Sequence, residues 1–270
     1  MTPHIKFFKQ GLFVLSKNPI LFLLPLVGSV ISIIVEVVFT RQLYYSNGNK
    51  VFFPDVLLFS IFFATFMIIY FQLHLSKKSI SLSVPKNNYH GIGVLELFTI
   101  YSIYSLVLFF IGGYESQLRE TYSLKSDPFS LYTFKIATYY DIINIIPNGV
   151  VIILLSTLTS FLFSAWMVQY VVAKEQNRYL LVESLRNLAR DSVFKDTRKK
   201  MLLLFIVTLV TSILDFVLTN IAVIHIPDTL QIYLYQSVVL TVVNSLFAPF
   251  FLVCLFLIIL SRSFSSSDTR

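Results

Sequence analysis

Residues 142–173 and 229–261 each run without a single charged side chain. About 20 apolar residues, rising about 1.5 Å each, are enough to cross the roughly 30 Å of hydrocarbon in a bilayer. Four further stretches are apolar over similar lengths, so the chain reads as six spans at about 19–40, 56–75, 92–114, 148–173, 201–226 and 231–261. The predicted fold class is an all-α, polytopic transmembrane helical bundle forming one integral membrane domain. The apolar runs are continuous, whereas barrel strands alternate apolar and polar residues, which excludes a β-barrel. A soluble helical core is excluded by composition. Only 13% of the residues are charged and the mean hydropathy is +0.77, against roughly a quarter charged in ordinary soluble domains. Pro25 and Pro249 fall inside spans one and six and are expected to bend them, because proline removes a backbone donor.

The net charge of +7 is uneven along the chain. Residues 1–18, 76–91, 174–200 and 262–270 hold 16 of the 21 Lys and Arg, and the alternate loops hold the other 5. Basic loops stay on the cytoplasmic side. This predicts a plasma-membrane protein with both termini inside, and it accounts for the charge without nucleic acid. The first apolar run is too long for a cleaved signal and lacks a small-x-small site, so it reads as an uncleaved anchor. The single cysteine, Cys254, falls in span six and permits no intrachain disulfide.

Two basic segments have helical apolar periodicity. In residues 176–196, Leu181, Val182, Leu185, Leu188, Ala189 and Val193 recur at three- and four-residue spacing, with Glu183, Arg186 and Arg190 opposite. Arg198, Lys199 and Lys200 follow. Residues 4–17 repeat the pattern, with Ile5, Phe8, Leu12 and Leu15 on one face and Lys6, Lys9 and Lys17 supplying charge; Asn18-Pro19 then breaks the helix. Both read as amphipathic helices in the inner headgroup layer, where Arg186, Arg190, Arg198, Lys199 and Lys200 meet anionic inner-leaflet lipid. A docking helix for a membrane or cytoplasmic protein partner is the alternative. The outward segment 115–146 carries Tyr122, Phe129, Tyr132, Phe134, Tyr139 and Tyr140, a composition suited to an aromatic interfacial cap or a recognition surface.

The Phe8–Pro19 stretch (FKQGLFVLSKNP) leads into span one and the Ser184–Lys200 stretch (SLRNLARDSVFKDTRKK) into span five. This layout resembles prokaryotic six-helix membrane proteins of unknown function related to the membrane domain of glycerophosphodiester phosphodiesterases. The resemblance implies a helical membrane module. It carries over no catalytic activity, because the soluble phosphodiesterase domain is absent from this sequence.

Catalytic and cofactor signatures are missing. Gly91-Ile92-Gly93 lacks the third glycine of a dinucleotide loop, no G-x-S-x-G elbow occurs, and His4, His74, His90 and His225 have no metal-ligand spacing. No cofactor, metal or enzymatic activity is expected. Acids inside spans are the remaining functional candidates. Glu36 and Glu96 fall near span ends. Asp215 lies 15 residues beyond Lys200, about 22 Å along a helix and short of the far boundary. The candidate intramembrane polar site is therefore Asp215 with Asn220, Asn244 and Glu36, either as a helix-packing hydrogen bond or as a cation or proton site. Three function classes follow: a non-enzymatic accessory, scaffold or immunity-type module; a small ion-coupled transporter or channel using Asp215; and a membrane-embedded lipid or peptide enzyme.

Overall fold

A computed structural model describes residues 6–28, 30, 54–81, 93–123, 139–175, 181–193, 195–225 and 229–265. Those residues are all helical apart from short turns, with no strand among them. The helices are α1 (Lys6–Lys17), α2 (Ile20–Gly28), α3 (Pro54–Ser81), α4 (Val94–Ser123), α5 (Tyr139–Glu175), α6 (Leu181–Val193), α7 (Lys195–His225) and α8 (Thr229–Ser265).

The all-α expectation holds. The count of six spans is only partly visible, because span one is described no further than residue 30 and several side chains in α7 and α8 lie outside the described residues. Among the described residues, Val94–Ile111 of α4 and Val150–Val172 of α5 are long and apolar enough to cross a membrane. The bent pair α1–α2 makes a third if it is a single span.

Asn18 makes the first bend. Its backbone N–H donates to the Leu15 carbonyl at 3.0 Å and its side-chain amide donates to the Val14 carbonyl at 2.8 Å. These bonds occupy carbonyls that a helix end leaves open. Its own carbonyl accepts from Leu21 N–H at 3.1 Å, so one residue closes α1 and opens α2. The two helices meet at 80°. The break falls at Asn18-Pro19, as the sequence suggests, while Pro25 is buried within α2 and Pro249 within α8.

α8 is the centre of the assembly and packs against α1, α3, α5 and α7. Its second half is apolar on every side, and Leu252 to Phe256, Ile258 and Ile259 are all buried, as expected of a helix surrounded by others. The rest of the core comes from the parts of neighbouring helices at the same end: Phe7 to Leu21, Phe66 to Ile80, Leu97 to Tyr101, Phe161 to Val172, and Leu204.

Aromatic rings lock these helices together. Phe66 meets Phe98 edge-on at 5.1 Å between α3 and α4, and Phe161 meets Phe205 of α7 at 5.4 Å and Phe251 of α8 at 5.7 Å. Such pairs add about 0.5–1.5 kcal/mol each beyond buried area. At the other end, Phe109, Phe110, Val150 and Leu154 are exposed.

α1 lies across α8 at Gly11. A Cβ there would sit 2.8 Å from Cys254 Sγ, so only glycine permits this approach. In mid-helix, glycine otherwise costs about 1 kcal/mol relative to alanine. The expected outcome is a change of sign. Gly11→Ala destabilises the wild-type chain by about 1–2 kcal/mol through overpacking, but stabilises a Cys254→Ala background, where the sulfur is gone. Thermal unfolding of the four detergent-solubilised variants measures this cycle, and equal effects in both backgrounds would refute the contact.

Candidate functional site

The final turns of α5 present different polar groups to different neighbours. Tyr170, buried, hydrogen-bonds the carboxylate of Glu96 in the first turn of α4. The amino end of a helix favours a negative side chain, which gives Glu96 a second reason to sit there. Two turns further along the same interface, the Tyr104 and Ser160 hydroxyls are 3.1 Å apart. α4 and α5 are thus stapled antiparallel at two heights.

Trp166, the single tryptophan of the chain, faces α6. Its indole N–H donates to Ser184 Oγ at 2.9 Å and to the Leu181 carbonyl at 3.3 Å, and the Ser184 hydroxyl donates in turn to that carbonyl at 2.7 Å. Ser184 is buried and lies between Leu181 and Leu188, both packed against the core. The spacing 181, 184, 188 is one helical face, and that face holds α6 on the bundle.

The apolar stripe read from the sequence is therefore divided. Leu181 and Leu188 pack on protein, whereas Val182, Leu185 and Ala189 are exposed. Val193 is helical, with its side chain outside the described residues. α1 divides in the same way. Phe7, Gly11, Val14 and Leu15 face the bundle, while Leu12 and Phe13 are exposed beside Lys9 and Lys17. The ammonium of Lys17 lies 4.3 Å from the centre of the Phe13 ring.

Of the basic candidates, Arg186, Arg198 and Lys199 are exposed. Lys200 is less exposed and pairs with Asp196 one turn earlier at 2.7 Å. Arg190 is in α6 with its side chain outside the described residues. Arg198 to Lys200 belong to α7 itself, which begins at Lys195, so they extend the span-five helix rather than precede it.

The intramembrane candidates are placed only by their backbones. Asp215 and Asn220 are in α7 and Asn244 is in α8, helices that pack together, but their side chains lie outside the described residues, as does all of Glu36.

Sequence reading missed a set of buried polar side chains. Gln72, Ser76 and Lys77 of α3, Thr157 and Gln169 of α5, Thr197 of α7 and Ser245 of α8 are all buried. Gln72 Nε2, Ser76 Oγ, Thr157 Oγ1, Gln169 Oε1 and Ser245 Oγ have no hydrogen-bond partner among the described residues. A signal for them existed, since Gln72 and Gln169 are amides within otherwise apolar stretches. These groups can hydrogen-bond a polar guest. No group of three or more His, Cys, Asp or Glu suited to a metal occurs among the described residues.

Comparison with known proteins finds no matching family model, curated protein or solved structure.

Trp166→Phe removes both indole bonds, a loss of about 1 kcal/mol. Hydrogen exchange of the α6 amides, Leu181 to Val193, is expected to speed up about fivefold while α4 is unchanged. Tyr104→Phe, which removes a single hydroxyl pair between helices, is expected to cost about 0.6 kcal/mol in thermal unfolding and to leave α6 exchange unaltered.

Proposed function

We propose that this chain is a non-enzymatic multi-pass protein of the plasma membrane, with six spans and both termini cytoplasmic, acting as an accessory, scaffold or immunity-type module by holding a protein partner or lipid. One observation carries the membrane reading. In the apolar windows of α4 and α5, only 17% and 22% of residues are buried, which leaves long apolar surfaces uncovered by the protein itself. Patches of that extent are rare on soluble monomers, whereas hydrocarbon solvates them without cost.

The module reading rests on how the polar groups are used. Glu96–Tyr170, Tyr104–Ser160 and Trp166–Ser184 each join one helix to another. The distribution of basic residues supports the orientation. The layout also fits the resemblance to the phosphodiesterase-associated membrane domain, which implies a module rather than an enzyme.

A transporter is the second reading, and the buried polar atoms without partners are the observation that favours it. Polar groups within spans often line solute paths. Asp215 would then supply the charge that couples transport to an ion.

Topology and flux tests separate these readings. With both termini cytoplasmic, a C-terminal green fluorescent fusion is bright and a C-terminal alkaline phosphatase fusion is inactive, while phosphatase inserted within residues 124–138 is active. The opposite pattern overturns the orientation. In liposomes, the module reading predicts ion flux no greater than in empty vesicles. Flux that Asp215→Asn abolishes would replace it with the transporter.

A further inference from the structure

Two amphipathic helices lie at one height on different sides of the bundle. α1 crosses α8 where Gly11 meets Phe250 and Cys254. α6 is fastened to α5 at Trp166. Phe161 and Phe251 touch, and this pair sets the two central helices side by side. On that register, the α1 crossing is level with about residue 162 of α5, some four residues from Trp166. At about 1.5 Å per residue, the two attachment points differ in height by about 6 Å, little more than one turn.

Each helix is built in three sectors. One packs on the bundle, through Phe7, Val14 and Leu15 in α1 and through Leu181, Ser184 and Leu188 in α6. The next is apolar and exposed, with Leu12 at 58%, Phe13 at 57%, Val182 at 75% and Leu185 at 46% exposure. The third is cationic, with Lys9 and Lys17 on α1, Arg186 on α6, and Arg198 and Lys199 where α7 begins. A second apolar face on a helix already docked to its own protein requires another apolar phase. Cations beside it require that phase to carry negative charge at its boundary.

We propose that α1 and α6 form a level pair that seats on the anionic inner leaflet of the bilayer, with Leu12, Phe13, Val182 and Leu185 among the acyl chains and the neighbouring cations at lipid phosphates. A bilayer surface is a plane, and it engages elements on separate sides of a bundle only when they share a level. A protein partner imposes no such condition. Lys17 stacked over Phe13 has the geometry of an interfacial cation, its stem beside the ring and its charge at the rim. The proposal rests on the membrane reading above and identifies the lipid chemistry that these helices recognise.

The test uses the full chain carrying Cys254→Ala, reconstituted in nanodiscs of zwitterionic lipid or of the same lipid with phosphatidylglycerol. Single cysteines replacing Leu12, Val182, Leu185, Glu183 or Arg186 carry a nitroxide label. Labels at 12, 182 and 185 are expected to collide with oxygen in preference to a water-soluble nickel complex, and labels at 183 and 186 are expected to show the reverse. Spin-labelled phosphatidylglycerol is expected to bind more strongly than spin-labelled phosphatidylcholine. Replacing Arg198 and Lys199 by Gln should weaken that preference, by roughly fivefold for each cation removed.

Water exposure of labels 12, 182 and 185 would overturn the proposal and leave that surface to a soluble partner. A seated pair with equal affinity for both lipids would overturn the anionic assignment. The orientation fails separately: a chain inserted the opposite way keeps the label pattern and reverses the fusion reporters.

Discussion

The second half of α8 is the post on which the described bundle depends. From Leu252 to Ile259 it has almost no exposed side, because α1, α3, α5 and α7 all lean on it. Its residues are Leu, Val, Phe, Ile and one Cys, so the contacts made around it are dispersion contacts between close-fitting shapes. Shape is then the controlling variable. Gly11 exists to let α1 reach Cys254, and Gly28 stands where a Cβ would overlap the end of Ile68. Small residues at helix crossings let backbones approach closely, and close approach is what holds helices together when hydrocarbon surrounds them.

The same condition explains which features the sequence revealed and which it concealed. The long helices are legible because hydrophobicity over about 20 residues needs no partner to be recognised. α6 is legible because its two faces differ sharply in polarity. The packing of α4 and α5 is not legible, since a helix that meets lipid on one side and protein on the other is apolar on both. Nothing in the apolar order of residues 150–172 says that Phe161 turns toward α7 and α8 while Trp166 turns toward α6. Polar residues were the available markers. Glu96 read as a residue near a span end, but its link to Tyr170 also required knowing the register of α4 against α5.

The amphipathic segments show a subtler limit. Periodicity separates apolar from polar and assigns the apolar face to a single destination. In α6, Leu181 and Leu188 go to protein, while Val182 and Leu185 remain exposed. In α1, the reading placed Leu12 with Phe8 and Leu15, and the structure exposes Leu12. An apolar arc wide enough for two destinations looks, in sequence, like one broad stripe. Ser184, a small polar residue inside that arc, marks where α6 meets protein, because its hydroxyl needs the Trp166 partner that only the bundle supplies.

The position of the tight core follows from where the hydrophobic effect can act. Between two spans already solvated by lipid, moving apolar surface from acyl chains to protein gains almost nothing. At the edge of the bilayer, water is present, and covering Phe7, Val14 and Leu15 against α8 removes apolar surface from it at about 25 cal/mol per Å². Helices lying across the end of a bundle therefore collect a driving force that the spans do not have. If α4 and α5 are lipid-solvated, the buried residues should gather beside α1 and α6, and the exposed rings of Phe109 and Phe110 should lie away from them, as is observed. The basic amphipathic helices then clamp the spans together at the one level where association is rewarded by water.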